Sequence, residues 1–265
     1  MSGLAGLVLA VAVLSLVAGK VTKLPNPNGY DRLVSIAGRI PEDVRDLPAT
    51  NSVALAHFAT EHSGLIGEVE DALKLPAAAP LAMGQEWFAD QAAEFMSVRS
   101  LEKALLAVAR HAEIAGDSAL AVRGRLAVIE LGQRIGRGGL LIHYFLSAAI
   151  QINGLKVLSN GVPQMDRAAC QFALREIPRI QGSLEPLSGY LGRERRWLLT
   201  SSQWWRDWET AKQIPQSLVD PARGSFWGTP QQRARELAEC YAGLERVLQR
   251  RIEGLTDLPE SRRLP

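Results

Sequence analysis

The sequence predicts an all-α fold: antiparallel helical hairpins in an irregular, repeat-like array, preceded by one N-terminal transmembrane helix. Three observations carry that expectation. Ala, Leu, Arg and Glu dominate while aromatics make up only 6% of the chain, a balance that suits helices better than a β-sandwich or barrel. Apolar residues recur at spacings of three and four through most of the length. Gly, Pro and Asn or Asp punctuate these runs at helix-length intervals. At 265 residues the chain can bury one large core or two small ones. Its net charge is +2, and basic residues are spread along the chain and matched by acids, so no nucleic acid partner is expected.

Residues 1–19 come first. Gly3 to Gly19 carries no charge and is bounded by Lys20 and Lys23. At about 1.5 Å per residue it lies at the short end of what spans a bilayer. It reads as a membrane anchor, although Val17-Ala18-Gly19 also offers small residues at a cleavage point of a signal. Lys20 and Lys23 follow the span, which by the positive-inside rule would hold the large domain in the cytoplasm.

Residues 20–48 form a linker and a short docking helix. Pro25-Asn26-Pro27-Asn28-Gly29 blocks helix and favours a turn, and Tyr30, Leu33, Val34 and Ala37 then share one helical face. The helical domain follows over 49–255. Two short helices separated by Gly64 are expected before Leu75-Pro76, then a loop of small residues, then a helix from Gln85 to Ser97 and another from Leu101 to Ala115. Gly116-Asp117 makes the next turn, and Asp117 or Ser118 caps a helix that Gly136 and Gly138-Gly139 stop.

Leu140 to Leu158 is the most apolar run outside the N-terminus. Interrupted by Gln151, Asn153 and Lys156, it reads as a buried central helix rather than a second span. Met165 to Ile180 and Leu184 to Thr200 complete the middle, with Pro178 expected to kink or end the first. Ser201 to Trp227 concentrates Trp204, Trp205, Trp208 and Trp227 between prolines and reads as a long loop. Thr229-Pro230-Gln231-Gln232 then forms a capping box at the start of a final helix, before a polar tail over 256–265.

Chemistry is harder to find. His57 and Glu61 share a helical face, but His62 is five residues from His57 and so cannot complete an i, i+4 metal pair. Glu86, Asp90 and Glu94 stack at four-residue intervals without the Glu-x-x-His element of a di-iron bundle. His143 lies within the apolar helix and needs a hydrogen-bond partner if buried. Cys170 and Cys240 define neither a disulfide framework nor a zinc site, and a single bridge between them remains open. No nucleophile elbow, phosphate loop or dinucleotide fingerprint is present, so neither a catalytic residue nor a cofactor nor a metal is expected. The Trp-rich segment with Arg195 and Arg196 is the candidate partner-binding surface, since Trp and Arg are enriched in binding hot spots.

The turn at Ala115 to Asp117 between two helices resembles a single tetratricopeptide repeat. Together with the uncharged N-terminal run, Asn28-Gly29-Tyr30-Asp31, Glu68-Val69-Glu70-Asp71-Ala72-Leu73 and Gly192-Arg193-Glu194-Arg195, it is similar to a group of uncharacterised bacterial proteins with one membrane anchor and a helical, repeat-like exported domain. The resemblance covers most of residues 3 to 200 and implies an exported domain, but assigns no activity. The expected function is a membrane-anchored binding or scaffold protein with a protein or peptide partner. An enzyme using His57 and Glu61 or His143, or a purely structural envelope component, are the alternatives.

Overall fold

A computed structural model describes residues 24–41, 44, 53–81, 86–200 and 229–256. Every regular element among them is helical, and no strand occurs. The helices are α1 (Gly29–Ala37), α2 (Val53–Glu61), α3 (Leu65–Leu73), α4 (Glu86–Ile114), α5 (Ser118–Gly136), α6 (Leu141–Gly161), α7 (Arg167–Gly182), α8 (Leu187–Thr200) and α9 (Pro230–Thr256). A short 3-10 turn, Val162–Gln164, links α6 to α7. The uncharged N-terminal run, the four tryptophans 204, 205, 208 and 227, and the tail lie outside the described residues.

Local chemistry accounts for where the helices begin. Asn28 caps α1 by accepting the Tyr30 N–H at 3.2 Å. Its amide also bonds both backbone groups of Ala78, donating at 3.0 Å and accepting at 3.1 Å. A Cβ on Gly29 would stand 3.1 Å from the Ala72 and Leu75 carbonyl oxygens, so α1 docks closely there because the residue is glycine. Gly116 takes φ +81, and Asp117 accepts the Leu120 N–H at 2.9 Å as the cap of α5. At α9 the expected capping box is formed: Thr229 Oγ1 accepts the Gln232 N–H at 3.1 Å, and Gln232 Oε1 accepts the Thr229 N–H at 2.7 Å.

Two expectations differ from what is found. The segments read as separate helices over Gln85 to Ser97 and Leu101 to Ala115 are one helix of 29 residues. The serines between them do not break it, because Ser97 Oγ bonds the Ala93 carbonyl at 3.1 Å and Ser100 Oγ the Met96 carbonyl at 3.2 Å. Pro178 does not end α7, which continues through it to Gly182.

The α5–α6 pair is a wall between two cores. One face packs with α1, α3 and α4 around Leu33, Ile66, Leu101 and Leu131. The opposite face packs with α7 and α9 around Ile129, Leu155, Ile177 and Tyr241. Because α6 meets neighbours on both sides, it is apolar all round rather than amphipathic. By length and composition Leu141–Gln164 passes as a membrane span, the one such stretch among the described residues. Yet 72% of its apolar window is buried against other helices, as a core helix requires.

Candidate functional site

Polar side chains gather at three places among the described residues, two of them along α6. The first is around His143, which is fully buried. Its Nδ1 lies 3.2 Å from the Leu140 N–H, a group that only donates, so Nδ1 accepts and Nε2 carries the proton. Nε2 then donates to Gln91 Oε1 at 2.9 Å, and Gln91 Nε2 donates onward to Glu94 at 2.9 Å. The Tyr30 hydroxyl reaches the same Glu94 oxygen at 2.9 Å. This chain ties α1, α4 and α6 together. Burial first, and the Arg193 guanidinium second, push the His143 pKa down to about 4, so the imidazole is neutral at physiological pH. Glu102, also fully buried, is held by Asn153 at 2.6 Å and Arg99 at 2.5 Å, and burial raises its pKa.

The second place is a groove of about 290 Å³ between α3, α5 and α7. Arg123 grips Glu70 with two nitrogens, Nε at 2.9 Å, while Glu130 accepts from Arg134 at 3.3 Å and Arg179 at 2.8 Å. Arg179 also donates to Glu176 at 2.6 Å. A charged ligand would have to break these pairs to enter, so the groove is an ion-pair seam joining three helices.

The third is a cavity of about 220 Å³ bounded by α5, α6, α8, α9 and the link into α8. Two glycines one turn apart on α5 let its neighbours come close beside it. A Cβ on Gly136 would stand 2.7 Å from Ser147 Cβ and Oγ and 2.8 Å from the Tyr190 hydroxyl, and one on Gly132 would stand 2.9 Å from Gln151 Cγ. Close approach of α5 and α6 thus places Ser147 and Gln151, themselves one turn apart, at the cavity wall. Gln151 Nε2 donates to Ser147 Oγ at 2.9 Å, and the Tyr241 hydroxyl donates to Gln151 Oε1 at 3.0 Å.

Gln133 is only 4% exposed. Its Nε2 donates to the Ile180 carbonyl at 3.2 Å and to Ser183 Oγ at 2.6 Å. Since a carbonyl only accepts, the amide cannot be turned round, and Oε1 is sealed in the interior with no hydrogen-bond partner among the described residues. Tyr190, 3% exposed, also makes no hydrogen bond through its hydroxyl among the described residues. Burial raises the pKa values of Tyr190 and Tyr241, which keeps both phenols protonated. Among the described residues the one charged group in the lining, Glu185, is already occupied by Arg193 and by the Gly138 N–H at 2.9 Å.

Of the residues singled out in the sequence, His57 Nδ1 and Glu61 Oε2 lie 3.2 Å apart on an exposed helix face. Arg195 and Arg196 are exposed on α8, while their neighbours Arg193 and Glu194 fasten that helix to the start of α6. Arg193 Nε donates to the Gly139 carbonyl at 2.8 Å, and Glu194 accepts the Leu141 N–H at 3.0 Å. Cys170 and Cys240 are both free thiols. Among the described residues no three His, Cys, Asp or Glu side chains converge as a metal site would require. Gln133, Ser147, Tyr190 and Tyr241 were not legible as a site. The available signal was the matched four-residue spacing of Gly132 and Gly136 opposite Ser147 and Gln151. No family model, curated protein or solved structure matches this chain.

Proposed function

We propose that this chain is a membrane-anchored helical binding and scaffold protein, exported, with its hairpins in a repeat-like array and no catalytic chemistry of its own. The cavity carries this reading, because it offers groups that can hold a ligand and none that can transform one. Tyr190 brings to its lining a hydroxyl that can donate. Ser147 accepts from the amide of Gln151 and makes no hydrogen bond to a general base among the described residues, so it is not activated as a nucleophile. His143 is committed to Gln91 and the Leu140 N–H. Trp204, Trp205, Trp208 and Trp227, with Arg195 and Arg196, are the proposed contact for a protein or peptide partner.

Ala238, exposed at the cavity rim, gives a test that spares the core. A fragment library screened by thermal shift against the full chain and against Ala238→Trp should yield compounds that stabilise only the unsubstituted protein. A library that stabilises neither, or both alike, removes the binding reading. The partner surface is tested separately: replacing Trp204, Trp205 and Trp208 by Ala should abolish co-purification of a protein partner, and capture unchanged by the triple variant overturns that assignment.

A further inference from the structure

The hydrogen bonds in the cavity wall run in one direction and end on a donor. Tyr241 donates to Gln151 Oε1 at 3.0 Å and Gln151 Nε2 donates to Ser147 Oγ at 2.9 Å, which leaves the Ser147 proton without an acceptor among the described residues. Turning the Gln151 amide round reverses the chain and frees the Tyr241 proton in the same lining, so a donor ends it either way. Tyr190 adds a second donor beside Ser147. Its hydroxyl and Ser147 Oγ lie 2.8 and 2.7 Å from one point, the place a Cβ on Gly136 would take, yet do not bond each other. Unlike Gln133 Oε1, the Tyr190 oxygen is not sealed off. Tyr190 and Ser147 are only 3% and 4% exposed, where an unmet proton is costly, so a ligand gains by accepting it.

The rest of the lining limits what can carry that acceptor. Leu184, Leu187 and Leu237 provide apolar wall. Among the described residues Glu185 is the one acid in the lining and is neutralised by Arg193, so a charged ligand would lose its hydration without gaining a counter-ion. About 220 Å³ is many times the roughly 10–15 Å³ that one water needs, and lies below the usual range for drug-sized ligands.

Resting on the reading of this cavity as a ligand site, we propose that it takes a small, neutral molecule with a compact apolar body and one acceptor oxygen, of the ketone or ester class. The carbonyl accepts from the Tyr190 hydroxyl and from the hydroxyl that ends the chain, and the apolar body lies against the three leucines.

Cyclopentanone, pyrrole and pyrrolidinium share a five-membered ring and present an acceptor, a neutral donor and a cation, so they serve as probes. Each is titrated into the full-length protein in detergent, with binding followed by saturation-transfer NMR. The ketone should bind, pyrrole more weakly, and the cation not at all. Tyr190→Phe removes a hydroxyl that bonds no other part of the protein among the described residues, and should weaken the ketone roughly threefold to tenfold, the worth of one neutral hydrogen bond. Ala238→Trp should abolish binding. Pyrrole or pyrrolidinium binding as tightly as the ketone overturns the acceptor assignment while leaving the cavity a binding site. Ketone binding that survives Ala238→Trp lies elsewhere and overturns the proposal, as does binding indifferent to Tyr190→Phe. A ketone that does not bind also overturns it, and the cavity reading itself then stands only if the fragment library still yields stabilisers that Ala238→Trp abolishes.

Discussion

Tyr190 and Tyr241 line one cavity from α8 and α9, both nearly sealed from solvent, and differ in what their hydroxyls meet. The Tyr241 hydroxyl satisfies Gln151 Oε1 at 3.0 Å, while the Tyr190 hydroxyl satisfies nothing. Removing the first strands an acceptor on a residue only 1% exposed. Tyr241→Phe is therefore expected to cost about 1–3 kcal/mol, the penalty for a buried acceptor that loses its donor. Tyr190→Phe keeps the ring, loses no bond, and should stay within about 0.5 kcal/mol. With a urea dependence of about 2–3 kcal/mol per molar, the first substitution lowers the unfolding midpoint by roughly 0.3–1.5 M and the second leaves it nearly in place. Urea titrations at pH 7 followed by far-UV circular dichroism measure both. Equal midpoints for the two variants, or a larger loss for Tyr190→Phe, would refute the assignment of hydrogen bonds around the cavity.

Further outcomes follow from the same coordinates. His143 is held neutral with a pKa lowered to about 4, so the unfolded chain takes up its proton first. Its contribution is complete above the unfolded value near 6.5 and is lost as pH falls from there to about 4, on the order of 3 kcal/mol across that window. His143→Phe should be less stable at pH 7 yet show a flatter decline between pH 6.5 and 5 in thermal unfolding; an unchanged slope contradicts the buried neutral imidazole. Asp117→Ala removes the cap of α5 and should cost about 1 kcal/mol, read as a lower thermal midpoint. Gly136→Ala drives a methyl against Ser147 and Tyr190 and should cost about 1–3 kcal/mol by overpacking. Asn153→Ala takes a hydrogen bond from the buried Glu102 carboxylate, so its loss of stability should shrink as the pH is lowered and Glu102 protonates.

Much of the helical pattern was readable because it is written locally. The capping box at Thr229, the cap at Asp117 and the short helices around Gly64 depend on residues within a few positions of one another. The same locality bears on α4: Gln85 to Ser97 and Leu101 to Ala115 were read as two helices, but Ser97 and Ser100 each close a hydrogen bond one turn back inside a continuous helix. Glu68 to Leu73 shows a pattern whose face was legible and whose partners were not. Val69, Ala72 and Leu73 turn inward as their spacing requires, whereas the acids meet Arg39, Arg123 and Lys74, and two of those lie far away in sequence.

What the sequence determined alone was the all-helical class and most of the helix starts and stops, since 3.6-residue periodicity and end-capping are short-range properties of the chain. Tertiary structure decided what the polar residues of the central helix are for. His143 and Asn153 are paired in the core, one across 52 positions and the other across 51, while Gln151 meets Tyr241 across 90. Whether a buried amide or hydroxyl keeps a free hydrogen-bonding group depends on every atom around it, and those atoms come from helices far apart in the chain. Tyr190 becomes part of a candidate site only once α5, α6, α8 and α9 have packed and left its hydroxyl without a partner among the described residues.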